Sequence, residues 1–172
     1  MTGERDERAK DPKDASKWDA VEEATELLHE ERFHDALLEL RDVLKRDPDN
    51  AYAFHFLGVA LFESGELEAA RDAYRACLRL APRYLGSKVA LSHVLRTLGD
   101  LRPALKEGMD ALEISPEDGD ALHAVGLAYL ARGDTVAATK YLSEFLGTRP
   151  EFEVGEEVRA ILLSIEQGGG VA

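Results

Sequence analysis

The chain has 172 residues and only one cysteine, Cys77, so no internal disulfide can brace it. Aromatic residues make up 7% of the sequence, too few for the core of a large sandwich or barrel. No stretch of Val, Ile or Thr alternates with polar residues over the length of a strand. No apolar run reaches the roughly 18 residues that a membrane-spanning helix needs. Met1 to Lys17 is charged and lacks an apolar stretch, unlike a secretory leader. A reducing, cytoplasmic compartment is therefore the expectation. Basic residues are also scarce, 21 against 34 acidic ones, for a net charge of −13. Such a chain repels phosphate backbones and anionic lipid surfaces, so neither nucleic acid nor membrane is an expected partner.

The signs of catalysis are missing as well. No glycine-rich phosphate loop follows a strand, and Gly168-Gly169-Gly170 carries no lysine. Cys77 sits in a helical pattern at a packing position, without the electropositive, exposed setting of a nucleophile. Glu22-Glu23 and Glu156-Glu157 are sequence neighbours. On a helix such neighbours diverge, so they make solvated faces and not an acid–base pair. No enzyme activity and no cofactor are expected.

What the chain does have is a repeat. Pro48, Pro82, Pro116 and Pro150 recur every 34 residues, as do Ala36, Ala70, Ala104 and Ala138. Gly65, Gly99 and Gly133 share the period. A small residue returns at Ala24, Gly58, Ser92 and Gly126, and a large apolar one at Leu27, Leu61, Leu95 and Tyr129. Each column has a physical role. Proline ends a helix, glycine closes one in a left-handed turn, and Asp100 and Asp134 are placed to cap the next. Small residues let two helices approach while large ones fill the adjacent space. First helices are predicted near 18–30, 51–64, 85–98 and 119–132, second helices near 34–47, 67–80, 101–114 and 135–147. A last helix over 153–167 carries Val158, Ile161, Leu162 and Ile165 on one face and would cover the end of the stack. Residues 1–16 read as a disordered charged tail, and 168–172 as a flexible end.

The pattern resembles the tetratricopeptide repeat family. Leu57-Gly58, Leu61, Gly65, Ala70, Tyr74, Cys77 and Pro82 carry the resemblance most fully, in the repeat 51–84. Three further repeats fall at 17–50, 85–118 and 119–152. The first departs at Glu23 and Glu31, where Leu and Gly are usual. The third departs at Lys88 and at Gly108, where an apolar and an aromatic residue are usual. Those departures read as a soft point or a contact site. The resemblance implies an all-α, right-handed helical solenoid whose first helices form an inner wall. It places Tyr52, His55, Val59, Phe62, Val89, His93, Arg96, His123, Leu127 and Leu130 on that wall, with Tyr52 and Phe62 as the best anchors. The same implication puts Trp18, Val21, Thr25, Leu28, His29, Glu63, Gly86, Thr97, Asp120 and Ala131 there.

An apolar wall rimmed by polar residues points to a protein partner. Val59, Phe62, Leu127 and Leu130 also suit simple packing between repeats. Four of the five histidines fall on the wall, as hydrogen-bonding groups, as a pH-sensitive set or, least simply, as metal ligands, which would have to converge from three helices. Members of the family that grip acidic chaperone tails use cationic and amide residues. Here those places hold Val21, Thr25, Phe56, Gly86 and Ala90, so that clamp is absent. The expected function is a non-enzymatic adaptor or scaffold that holds a protein or peptide segment through apolar anchors, without a metal. The alternatives are a cytoplasmic chaperone of type III secretion translocator-like proteins, which Pro150-Glu151-Phe152 resembles, or a regulatory module for a separate enzyme. The oligomeric state and the identity of the partner stay open.

Overall fold

The computed structural model describes residues 12–168. Of the tail expected over 1–16, residues 1–11 lie outside the described residues, as do residues 169–172 of the flexible end expected over 168–172. Ten helices and no strand occur among those described. They are α1 Pro12–Asp19, α2 Glu22–His29, α3 Phe33–Arg46, α4 Ala51–Glu63, α5 Leu67–Leu80, α6 Leu85–Thr97, α7 Leu101–Ile114, α8 Gly119–Ala131, α9 Thr135–Gly147 and α10 Phe152–Glu166. The helices α4, α6 and α8 start 34 residues apart, as do α3, α5, α7 and α9. The repeat spacing is therefore the spacing of the helices. The described residues fall into two compact units, divided between Ser87 and Lys88.

Each turn from a first to a second helix is closed in the same way. Gly65 N–H donates to Phe62 C=O and Glu66 N–H to Leu61 C=O. The same pair of bonds recurs at Gly99 and Asp100, and at Gly133 and Asp134. This double closure needs a left-handed residue, and the three glycines have φ of 79°, 84° and 83°. A Cβ on any of them would meet nothing within 4 Å, so the requirement is conformational and not steric. Glu31 occupies the column's first place and still adopts φ 58°, with Glu31 and Arg32 making the corresponding bonds to Leu28 and Leu27. A side chain in this region costs about 1 kcal/mol. Glu31→Gly is accordingly expected to raise the free energy of unfolding by roughly 0.5–1 kcal/mol, less than the full strain because glycine also loosens the unfolded chain. A urea midpoint that moves down instead would show that the Glu31 side chain contributes more than its backbone costs.

Inside each hairpin, one position on the first helix faces one on the second, 16 residues later. Gly58 faces Tyr74, Ser92 faces Gly108 and Gly126 faces Leu142. Small meets large in two of them. In the third the order is reversed: Gly108 takes the large place, Ser92 fills part of the gap, and Val125 from α8 closes the rest. Ser92 is fully buried and its hydroxyl donates to Ala104 C=O at 2.8 Å. Gly108 is thus a tightly packed point and not the soft one its sequence indicated. Lys88, the other departure, is 14% exposed and pairs with Glu107 at 3.2 Å and Asp110 at 3.6 Å, both on α7.

Two local expectations are corrected. Asp134 accepts from Ala137 N–H at 3.0 Å, but Asp100 makes no side-chain cap bond. The third residue of α7 is Pro103, which has no N–H to offer. Capping of first helices falls instead to Asn50 and Asp118, which accept from Ala53 and Ala121. The first helix is also not continuous. It breaks at Ala20 and Val21 into α1 and α2, and α1 begins at Pro12, inside the stretch expected to be tail. The reason is anchorage. Lys17 Nζ pairs with Asp47 at 2.8 Å and bonds Asp49 C=O, and buried Asn50 donates to Lys17 C=O at 2.9 Å.

Candidate functional site

The ten wall positions lie on α4, α6 and α8, at spacings of three and four residues that keep each set on one helix face. Tyr52 is the main correction. It is 8% exposed and belongs to the core cluster with Val21, Ala24, Leu40, Val43 and Ala53. Trp18 meets its ring edge-on at 5.3 Å, Tyr84 at 5.9 Å, and its hydroxyl donates to Asp14 at 2.7 Å. The covering residues Asp14 and Trp18 come from α1, the segment read partly as tail, which is why the sequence left Tyr52 uncovered. Val89 is likewise 8% exposed. Both offer a guest little surface.

His55 is enclosed by its own unit. Phe56, Tyr74 and Tyr84 lie 4.9–5.8 Å from its ring, and Nδ1 shares a hydrogen bond with Ser87 Oγ at 2.9 Å. Burial lowers its pKa to about 4, so it is neutral at physiological pH. The buried thiol of Cys77 is pushed up by desolvation, with Ser87 acting in the opposite direction. Cys77 is a core residue and not a nucleophile. An open depression of about 840 Å³ lies by Tyr52 in this unit, lined by Lys17, Leu80, Arg83 and Tyr84 among others, away from Val59 and Phe62. Those two are half-buried on α4.

The second unit holds the more polar part of the wall. His93 and His123 are half-buried with ring centroids 5.8 Å apart, so α6 and α8 bring their faces together. Phe145 of α9 stacks on His123 at 4.6 Å. Arg96 lies one turn beyond His93, and Leu127 and Leu130 follow His123 on α8. All three are half-buried. Burial first, then the neighbouring His123 and Arg96, lowers His93 to about 4. His123 is lowered too, mainly by burial, although Asp120 and Glu157 oppose the shift. Burial also lowers Arg96, and its Nε is buried without a hydrogen-bond partner among the described residues.

Among the described residues, no three or more His, Cys, Asp or Glu side chains are placed to share a metal ion, and no helix is long and apolar enough to cross a membrane.

A family model of the tetratricopeptide repeat matches residues 21–84. No curated protein matches the chain. Among solved structures, the crystal structure of MamA is 25% identical, covering 77% of this chain and 78% of that one, with a TM-score of 0.70. A thermophilic tetratricopeptide protein of Thermus thermophilus is 23% identical over 89% of this chain and 84% of its own, with a TM-score of 0.72. The pilF protein of Pseudomonas aeruginosa is 21% identical over 92% and 72%, with a TM-score of 0.79. These likenesses indicate no catalytic family, and repeats of this kind generally serve as modules for protein–protein interaction. The helix spacing, the glycine-closed turns and the shared architecture make this chain an all-α helical repeat protein, with a fold like that of tetratricopeptide proteins.

Proposed function

We propose that the chain is a non-enzymatic adaptor that holds a segment of another polypeptide against the first helices of its repeats. One observation carries the reading. Val59 and Phe62 on α4, and Leu127 and Leu130 on α8, are neither sealed nor fully exposed. Apolar side chains left in that state tend to mark a protein-binding surface. The guest is an extended or helical segment with apolar residues, since spacing by three and four along each helix gives a row of shallow seats. With Tyr52 in the core, the anchoring falls to Phe62, Leu127 and Leu130. Burying one such side chain contributes roughly 1.5–3 kcal/mol by area transfer.

The test pairs Phe62→Ala with Leu127→Ala and measures the affinity of peptides selected from a random library on the intact chain. At least a 30-fold loss is expected from the double variant, with the helical circular dichroism kept. Unchanged affinity in a folded double variant would place the guest elsewhere. Tyr52→Ala does not serve this purpose, because it opens the core that Trp18 and Tyr84 close.

A further inference from the structure

The inner wall of the second unit carries an unanswered charge. Arg96 takes part in no ion pair among the described residues, and its Nε is buried with no acceptor. A buried polar group without a partner costs free energy, and such a group in a folded protein calls for a cause. Acids are not rare in this chain, with 34 available, and Lys88, Lys106 and Arg159 in the same unit each pair with at least one. Arg96 has none. His93 stands one turn before it on α6, and His123 faces His93 from α8 at 5.8 Å. Each imidazole supplies a ring N–H donor when neutral. The three donors lie on the same wall as Leu127 and Leu130.

We propose that Arg96, with His93 and His123 beside it, seats one carboxylate from an aspartate or glutamate side chain of the guest segment. The planar guanidinium fork matches a carboxylate, and a pair formed away from water is worth more than one on the surface. Asp120 and Glu157 lie close enough to act on His123, so the positive charge of the seat is that of Arg96. The chain's net charge of −13 limits the guest further. A strongly acidic guest is repelled at a distance, so the segment carries a lone acid among apolar residues, with basic flanks that meet the acidic exterior.

This inference rests on the wall holding a guest, so the experiment separates the two. Random dodecapeptides are selected on the full chain near physiological salt. The expected winners carry one Asp or Glu among apolar residues. Arg96→Gln is expected to weaken them at least 10-fold while leaving the unfolding midpoint equal or higher, because it removes an unpaired buried charge. Changing the peptide's acid to its amide should weaken binding to the unmodified chain by a similar factor and make no further difference to the variant. Arg96→Lys, which keeps the charge but loses the fork, should fall between. Apolar winners without an acid, or acidic winners that bind Arg96→Gln equally well, overturn the carboxylate seat and leave the guest wall standing. Winners indifferent to both Arg96→Gln and the Phe62/Leu127 double variant, or no winners at all, overturn both.

Discussion

Gly126→Ala is expected to lower the free energy of unfolding by roughly 2–3 kcal/mol, although alanine is the better helix former by about 1 kcal/mol. The added Cβ would lie 2.6 and 2.7 Å from Leu142 Cδ2 and Cγ, and 3.2 Å from the Leu142 backbone nitrogen. Leu142 is fully buried, so its side chain has nowhere to retreat, and the backbone contact forces α8 and α9 apart. Two controls separate packing from propensity. Gly147, in the last turn of α9, has nothing within 4 Å of an added Cβ and no positive φ, so Gly147→Ala should be neutral or mildly stabilising. Gly99→Ala meets no atom either but must hold φ 84°, which costs about 1 kcal/mol. Urea unfolding of the three variants should rank them in that order of damage: Gly126, then Gly99, then Gly147. If Gly126→Ala proved as mild as Gly147→Ala, the close approach of α8 and α9 would be wrong.

Acid should destabilise the chain before the carboxylates of Asp42 and Asp110 protonate. His55 and His93 each have a folded-state pKa of about 4 against an ordinary 6.5. The folded state refuses a proton that the unfolded chain accepts. Their contribution is therefore fully present above pH 6.5 and is lost as the pH falls toward 4. Full loss corresponds to roughly 3 kcal/mol per histidine. The carboxylates of Asp42 and Asp110 are held below their usual 3.8 by hydrogen bonds from Lys45 and Lys106, so their share is lost at lower pH still. His55 is the cleaner probe, because burial is the cause of its shift and its ring and hydrogen-bond partners Phe56, Tyr74, Tyr84 and Ser87 are neutral. Unfolding free energies measured from pH 7 down to about 4.5 should slope downward, and His55→Asn should flatten part of that slope. An unchanged slope would mean that His55 is solvated and titrates normally.

The helices were legible in the sequence because a fixed period repeats the same physical demand. Proline two residues beyond α3, α5 and α7 and glycine at three turns set boundaries that no single repeat could have fixed. What escaped notice depended on partners remote in the chain or on an exception within the pattern. Tyr52 took its cover from Asp14 and Trp18, more than 30 residues earlier. Asp100 lost its cap to Pro103 three residues on, and a column-by-column reading does not compare those two positions. Ser92 and Gly108 exchanged size, so each looked aberrant alone while the pair with Val125 fills the space. The wall was readable as a set of columns, but burial depth was not. A column says which way a side chain points, whereas Tyr52 and Val89 were sealed by neighbours that it does not specify.

The most direct measurement is the change in backbone amide chemical shifts of the labelled chain as a selected peptide is added. Guest binding on the first helices predicts that the shifts cluster around Val59 and Phe62 on α4, and around His93, Arg96, His123, Leu127 and Leu130 on α6 and α8. Perturbations confined to α7, α9 or α10, or none at a saturating peptide concentration, would contradict it.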